Sequence, residues 1–297
     1  MVEQREQING RLGNGRQIAV SASKKHDTVT ALAEEDATGE IADIFADIRE
    51  TMKIPMLTSI WRILAESKDD LAATWSAIKP MYATGKPEDA LVHLEVSGAF
   101  PRFDPPTSAE LRDAQINPTD LQRIKSIIRA YTRSNSLNLL TQTALVATPD
   151  RTPEDYGCNE YGTIDTPWEI PRLLAREEIP DSVWHEVLRV NLFGTNEDDP
   201  GLATIYRHLA YWPGMLKLVQ TRLESAEQAG DIARGAASVV EIAKEQGSRL
   251  AHLRDESRLN EMSDEAKSTV EHYVDGPFNV ARVVNIGTAL SRWLKTS

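Results

Sequence analysis

Cysteine is almost missing from this chain of 297 residues, which carries one, Cys158. A lone cysteine excludes an intramolecular disulfide, a Cys-x-x-Cys redox pair and a cysteine-based zinc site, and it fits a reducing cytoplasmic setting. Basic residues are also scarce: 33 Lys and Arg stand against 45 Asp and Glu, for a formal net charge of -12 and a pI near 5.1. With no basic stripe to reverse this locally, phosphate backbones and anionic membranes are repelled, so nucleic acid is not an expected partner. No run approaches the ~20 apolar residues of a membrane span. The opening text "MVEQREQINGRLGNGRQ" has charge without the apolar centre of an export signal. A cytoplasmic protein without membrane contact is expected. The six histidines, at positions 26, 93, 185, 208, 252 and 272, form no His-x3-His or His-Glu-x2-His pair. There is no Gly-x-Ser-x-Gly and no glycine loop that would cradle a phosphate, so neither a metal nor a cofactor is called for.

What is present is helical periodicity. Ile41, Ile44, Phe45, Ile48 and Met52 share one face after Thr38, which serves as N-cap, and Leu71, Trp75, Ile78 and Met81 follow the same rule. The spacing predicts further helices over 119–132, 135–147, 181–192, 201–211, 213–229, 231–256, 263–274 and 279–294. No segment alternates with period two between hairpin turns, so the predicted class is all-α. Residues 1–30 are polar and nonperiodic and read as a poorly ordered arm. Residues 149–171, rich in Pro, Gly, Asp and Thr, read as a connector. That leaves a first helical unit over 31–148 and a second over 172–297.

The two units echo each other. "PMLTSIWRILA" from Pro55 returns as "PGLATIYRHLA" from Pro200, identical at six of eleven positions and offset by 145. "TAL" at Thr143 returns at Thr288 with the same offset, "LRD" at Leu111 returns at Leu253, and "IFADI" at Ile44 has a counterpart in "VWHEV" at Val183. Landmarks in one order imply an internal duplication. The period is too long for a solenoid, so two tandem repeats packed as a pseudo-dimer with a cleft between them are expected. Clefts between helices are common small-ligand sites.

The stretches "DATGEIADIFADIRETMKIP", "IIRAYTRSNSLNLLTQTAL" and "LAYWPGMLKLV" resemble the group I (DL-) 2-haloacid dehalogenases, the non-stereospecific family, of which this chain looks like a divergent member. The likeness runs over about 36–294. It implies an all-α two-repeat pseudo-dimer with its active site between the repeats. It also implies hydrolytic removal of halide from short 2-haloacids: an Asp deprotonates a water, an Asn helps hold that water, and the water attacks the halogen-bearing carbon directly. Such a base needs weak solvation in a mostly apolar cradle, and the substrate carboxylate needs donors.

Transferred residue by residue, the family's Asn falls on Asn135, counting back from the shared Thr-Ala-Leu. A plain N-cap for the helix beginning there would explain the same residue. The family's Asp lies upstream of an Ala-x-Trp-Pro signature, here Ala210 to Pro213, and ungapped counting puts Ile205 in its place. Isoleucine accepts no proton, and loss of a general base typically costs on the order of 100- to 10,000-fold. The adjoining Ser becomes Thr204 and the aromatic becomes Tyr206, so the frame survives without the base. Asp198 and Asp199 lie ahead of Pro200, on the other side of the helix start. In the first unit, Met56 and Ser59 stand where the family has substrate-lining aromatics.

Replacement bases are sought in "EHYVDGPFN", which holds His272, Tyr273 and Asp275 beside Asn279, the near repeat equivalent of Asn135, and in His208, three residues after Ile205. The repeat-equivalent Arg62 and Arg207 could hold a carboxylate but are read as reaching solvent. "ATGEIADIFADI" also resembles the entry helix of alkylhydroperoxidase-like proteins, whose peroxidase chemistry is excluded by Cys158 standing alone. Two functions follow: a dehalogenase-like enzyme with a small organic-acid pocket and a relocated base, or a noncatalytic small-ligand or interaction protein on the same scaffold. The expected partner is a small organic acid, and association into a homodimer stays open.

Overall fold

The computed structural model describes residues 7–12, 16–21, 32, 34–150, 169–194, 202–275 and 280–295. Cys158, Asp198, Asp199 and Asn279 lie outside the described residues. The class is all-α as expected, with one local departure: β1 (Gln7–Leu12) pairs antiparallel with β2 (Arg16–Ser21), Gln7 facing Ser21 and Leu12 facing Arg16. The polar reading of 1–30 missed this hairpin. Its signal was Gly-Asn-Gly between two six-residue runs, a composition typical of tight hairpin connections.

Before the connector come α1 (Gly39–Met52), α2 (Ser59–Leu64), α3 (Lys68–Tyr82), α4 (Lys86–Ser97), α5 (Ser108–Asp113) and α6 (Pro118–Val146). After it come α7 (Asp181–Asn191), α8 (Thr204–His208), α9 (Pro213–Gln228), α10 (Asp231–Leu250), α11 (Glu256–Leu259), α12 (Asp264–Asp275) and α13 (Val280–Lys295). Among the described residues no helix is long and apolar enough to cross a membrane.

The periodicity foresaw two helices where α6 is one. Arg133, Ser134 and Asn135 contain neither Pro nor Gly, so nothing halts the helix between them. Its start is fixed by Pro118 in the first turn and by a reciprocal capping box, in which Asn117 accepts from the Asp120 amide and Asp120 accepts from the Asn117 amide. Its end is sealed from a distance: Arg254 Nη1 donates to the carbonyls of Ala144, Leu145 and Ala147 at 2.7, 3.0 and 2.8 Å. Arg254 can do this because α10 stops at Leu250, short of the predicted 256, and the chain turns extended there before Asp255 caps α11. The two "LRD" landmarks therefore do different work, the first inside α5 and the second between α10 and α11.

Other landmarks recur in structure. Phe45 and Ile48 of α1 are buried as Trp184 and Val187 of α7 are. Gly85 and Gly230, 145 apart, both take φ +72 just before α4 and α10, a left-handed conformation that glycine adopts without strain. Arg62 Nε donates to the Leu32 carbonyl at 2.9 Å and Arg207 Nε to the Leu174 carbonyl at 2.6 Å. Both arginines are half-buried and bind backbone, where the sequence reading sent them to solvent.

The apolar residues gather in two cores. One is built on α1–α4 with the C-terminal half of α6, parts of α10 and α12, and the start of α13. The other is built on α7–α9 with the N-terminal half of α6, Ile232 of α10 and the rest of α13. The long helices that bridge the two approach closely: a Cβ on Gly287 of α13 would lie 2.9 Å from Thr132 Oγ1 of α6.

Candidate functional site

Where the two cores meet, side chains from both parts of the chain line a cavity of about 30 Å3. From the first unit come Thr58 and Ser59 at the start of α2, and Tyr131 and Asn135 on α6. From the second come residues 202–205 at the start of α8, Tyr273 of α12, and Val280 and Val283 of α13. Four positions read from the sequence, Ser59, Asn135, Thr204 and Ile205, thus converge on one space, together with Tyr273. The cavity is far below the ~300 Å3 of ordinary ligand pockets.

Asn135 sits inside α6, not at a helix start, so it is no N-cap. It is half-buried, as are Ser59 and Thr204. None of the three is tied by its side chain to another described residue. Ile205 is 3% exposed and gives the cavity an apolar wall. Thr58 is anchored by a buried chain of bonds: Trp61 Nε1 donates to Asn138 Oδ1 at 2.9 Å, and Asn138 Nδ2 donates to Thr58 Oγ1 at 2.6 Å. The Tyr273 hydroxyl lies near Thr58 without making a full hydrogen bond, and burial raises its pKa above the usual phenol range.

Of the lining residues, Tyr131 carries its hydroxyl 3.0 Å from His208 Nδ1, and His208 Nε2 lies 2.6 Å from the Pro171 carbonyl. The rings meet edge to face, with centroids 5.7 Å apart. Burial pushes Tyr131 up, against the opposing pull of Arg62 and Arg207. Burial pushes His208 down, assisted by Arg207 and opposed by the bond to Pro171. Both shifts favour a neutral pair at neutral pH.

The remaining candidates lie elsewhere. Met56 packs half-buried against the second core. Tyr206 is 1% exposed, with its ring end beside Gly194. His272 and Asp275 are exposed, and Asp275 pairs with Lys244 at 3.4 Å. No carboxylate lines the cavity among the described residues, and no three His, Cys, Asp or Glu side chains gather there in a way that could hold a metal ion. The sequence reading missed Tyr131 and Thr58. Tyr131 could have been found, since it precedes Asn135 by four residues and so shares its helix face.

No family model matches the chain, and no curated protein matches it significantly. Solved structures do. A D-2-haloacid dehalogenase mutant aligns with a TM-score of 0.70 at 14% identity, covering 89% of this chain and 95% of that one. A complex of a mutant with D-2-CPA gives 0.67, with 89% and 92% covered at 14% identity. A complex with L-LA gives 0.62, with 89% and 93% covered at 14% identity. The likeness extends over nearly the whole of both chains, and it is one of fold: this chain has the fold of D-2-haloacid dehalogenases.

Proposed function

We propose that this chain is a two-repeat, dehalogenase-like protein whose cavity between the repeats takes a short organic acid, and that it does not run the family's Asp-dependent hydrolysis. The observation that carries this reading is Ile205, which lines the cavity at the position where the resemblance implies the catalytic Asp, in a lining with no carboxylate among the described residues. Asn135, Ser59 and Thr204 supply amide and hydroxyl donors for a carboxylate, and Ile205, Leu202 and Val283 face an alkyl chain. A three-carbon acid exceeds this volume, so the lining must yield to admit it. The matched glycines and arginines 145 residues apart support descent from a duplicated unit. The solved relatives carry D-2-CPA and L-LA in their complexes, which favours small acids as the class to test.

The test is halide release from both enantiomers of 2-chloropropionate by the wild type, Ile205→Asp and Ile205→Asn. Only Ile205→Asp is expected to release halide, because it alone restores a carboxylate base; Asn matches its size without basicity. Release by the wild type at the rate of Ile205→Asp would overturn the noncatalytic reading. Short organic acids are further expected to raise the melting temperature of the wild type as occupancy grows.

A further inference from the structure

Tyr131 and His208 form a hydrogen-bonded pair whose polarity is set by a third atom. The Pro171 carbonyl oxygen, 2.6 Å from His208 Nε2, has no hydrogen to give, so Nε2 carries the hydrogen of the ring. In the neutral ring Nδ1 is then a bare lone pair, and at 3.0 Å the Tyr131 hydroxyl is the donor. Tyr131 is 4% exposed and His208 3%, so little solvent competes for that hydrogen. Tyr131 is also part of the cavity lining. Its hydrogen is committed to His208, so an occupant that reaches the Tyr131 oxygen finds only lone pairs there. The five residues of α8 thus serve the cavity in two ways, with Thr204 and Ile205 in its wall and His208 as the group that orients the hydroxyl of Tyr131.

We infer that Tyr131, oriented by His208, is the specificity-determining residue of this cavity and selects a short 2-hydroxy acid over the 2-halo acid of the same carbon chain. The inference rests on the acid-binding reading given above. A hydroxyl on the second carbon donates to the Tyr131 oxygen, whereas a halogen has no hydrogen to donate and sets one electron-rich atom against another. The other polar groups of the lining do not discriminate this way: the Asn135 amide both donates and accepts, and the Thr58, Ser59, Thr204 and Tyr273 hydroxyls each have a hydrogen to turn toward either occupant.

The test is calorimetric titration of the full chain with lactate and with 2-chloropropionate, each as separate enantiomers, for the wild type, Tyr131→Phe, His208→Leu and His208→Gln. The wild type is expected to bind lactate about tenfold more tightly than 2-chloropropionate, the scale of one buried neutral hydrogen bond. Tyr131→Phe removes the oxygen, and His208→Leu frees the hydroxyl hydrogen to turn inward; each should bring the two acids to within about threefold of each other. His208→Gln should keep the preference, because its carbonyl accepts from Tyr131 while its amide donates to Pro171. Equal binding of the two acids by the wild type, or a preference that survives in Tyr131→Phe, overturns the inference and leaves the acid-binding reading standing. Binding of neither acid overturns both. Tyr131→Phe preserves ring packing, so a fold lost in His208→Leu would not shield the inference from failure.

Discussion

On the reading proposed above, a single letter, Ile205, separates the chemistry that the resemblance implies from that of this cavity, and single residues matter as much elsewhere in the interior. Gln142 of α6 is fully buried, and neither end of its amide has a partner among the described residues. An unpaired amide in a core is expensive, so Gln142→Met, close in shape, should stabilise the protein by about 1–3 kcal/mol. Urea unfolding measures this as a higher midpoint at unchanged slope; a lower midpoint would mean that the amide is satisfied. At this scale the sequence was informative wherever a counted landmark lay close by. Ser59, Thr204 and Ile205 follow from the repeated proline-led segment, and Asn135 follows from the recurring Thr-Ala-Leu. It was least informative in "EHYVD", where three chemically attractive neighbours look equivalent as text. The period of α12 turns Tyr273 inward and leaves His272 and Asp275 in solvent.

At the scale of elements, most helices were legible because an amphipathic stripe is written directly in the spacing of apolar residues. Their ends were less so. The end of α6 is sealed by Arg254, more than a hundred residues away from the carbonyls it binds, and no local window contains that information. Close approaches between elements are equally hidden from a local reading. Gly214, in the first turn of α9, faces the end of α5, and a Cβ there would come within 2.1 Å of the Ala114 carbonyl oxygen. Backbone cannot swing aside as a side-chain tip can. Gly214→Ala should therefore cost about 1–3 kcal/mol, the usual scale of overpacking, read as a drop in the urea midpoint. A substitution without cost would show that α5 and α9 are free to separate.

On the scale of the whole molecule, four of the five tyrosines among the described residues are buried with pKa values raised by loss of solvation: Tyr82, Tyr131, Tyr206 and Tyr273. A group whose pKa is raised by folding contributes fully below its unfolded value, about 10 for tyrosine, and that contribution is lost as pH rises toward the folded value. Phenolate absorbance should show these four resisting ionisation just above pH ~10 and then ionising together as the fold collapses. A smooth titration of all seven tyrosines of the chain in the native protein would contradict the burial of these four. The all-α architecture was legible in the sequence at this scale, but the partition of the core was not. The sequence divides at the connector, whereas the apolar interior divides along α6. Leu121, Ile124, Ile127 and Ile128 of that helix are covered by residues that come later in the chain. When synthesis has delivered only the first 150 residues, most of the core that covers this row of side chains is still missing. The nascent protein must carry an adhesive face until α7–α9 and α13 emerge, and that interval is when it is most exposed to aggregation.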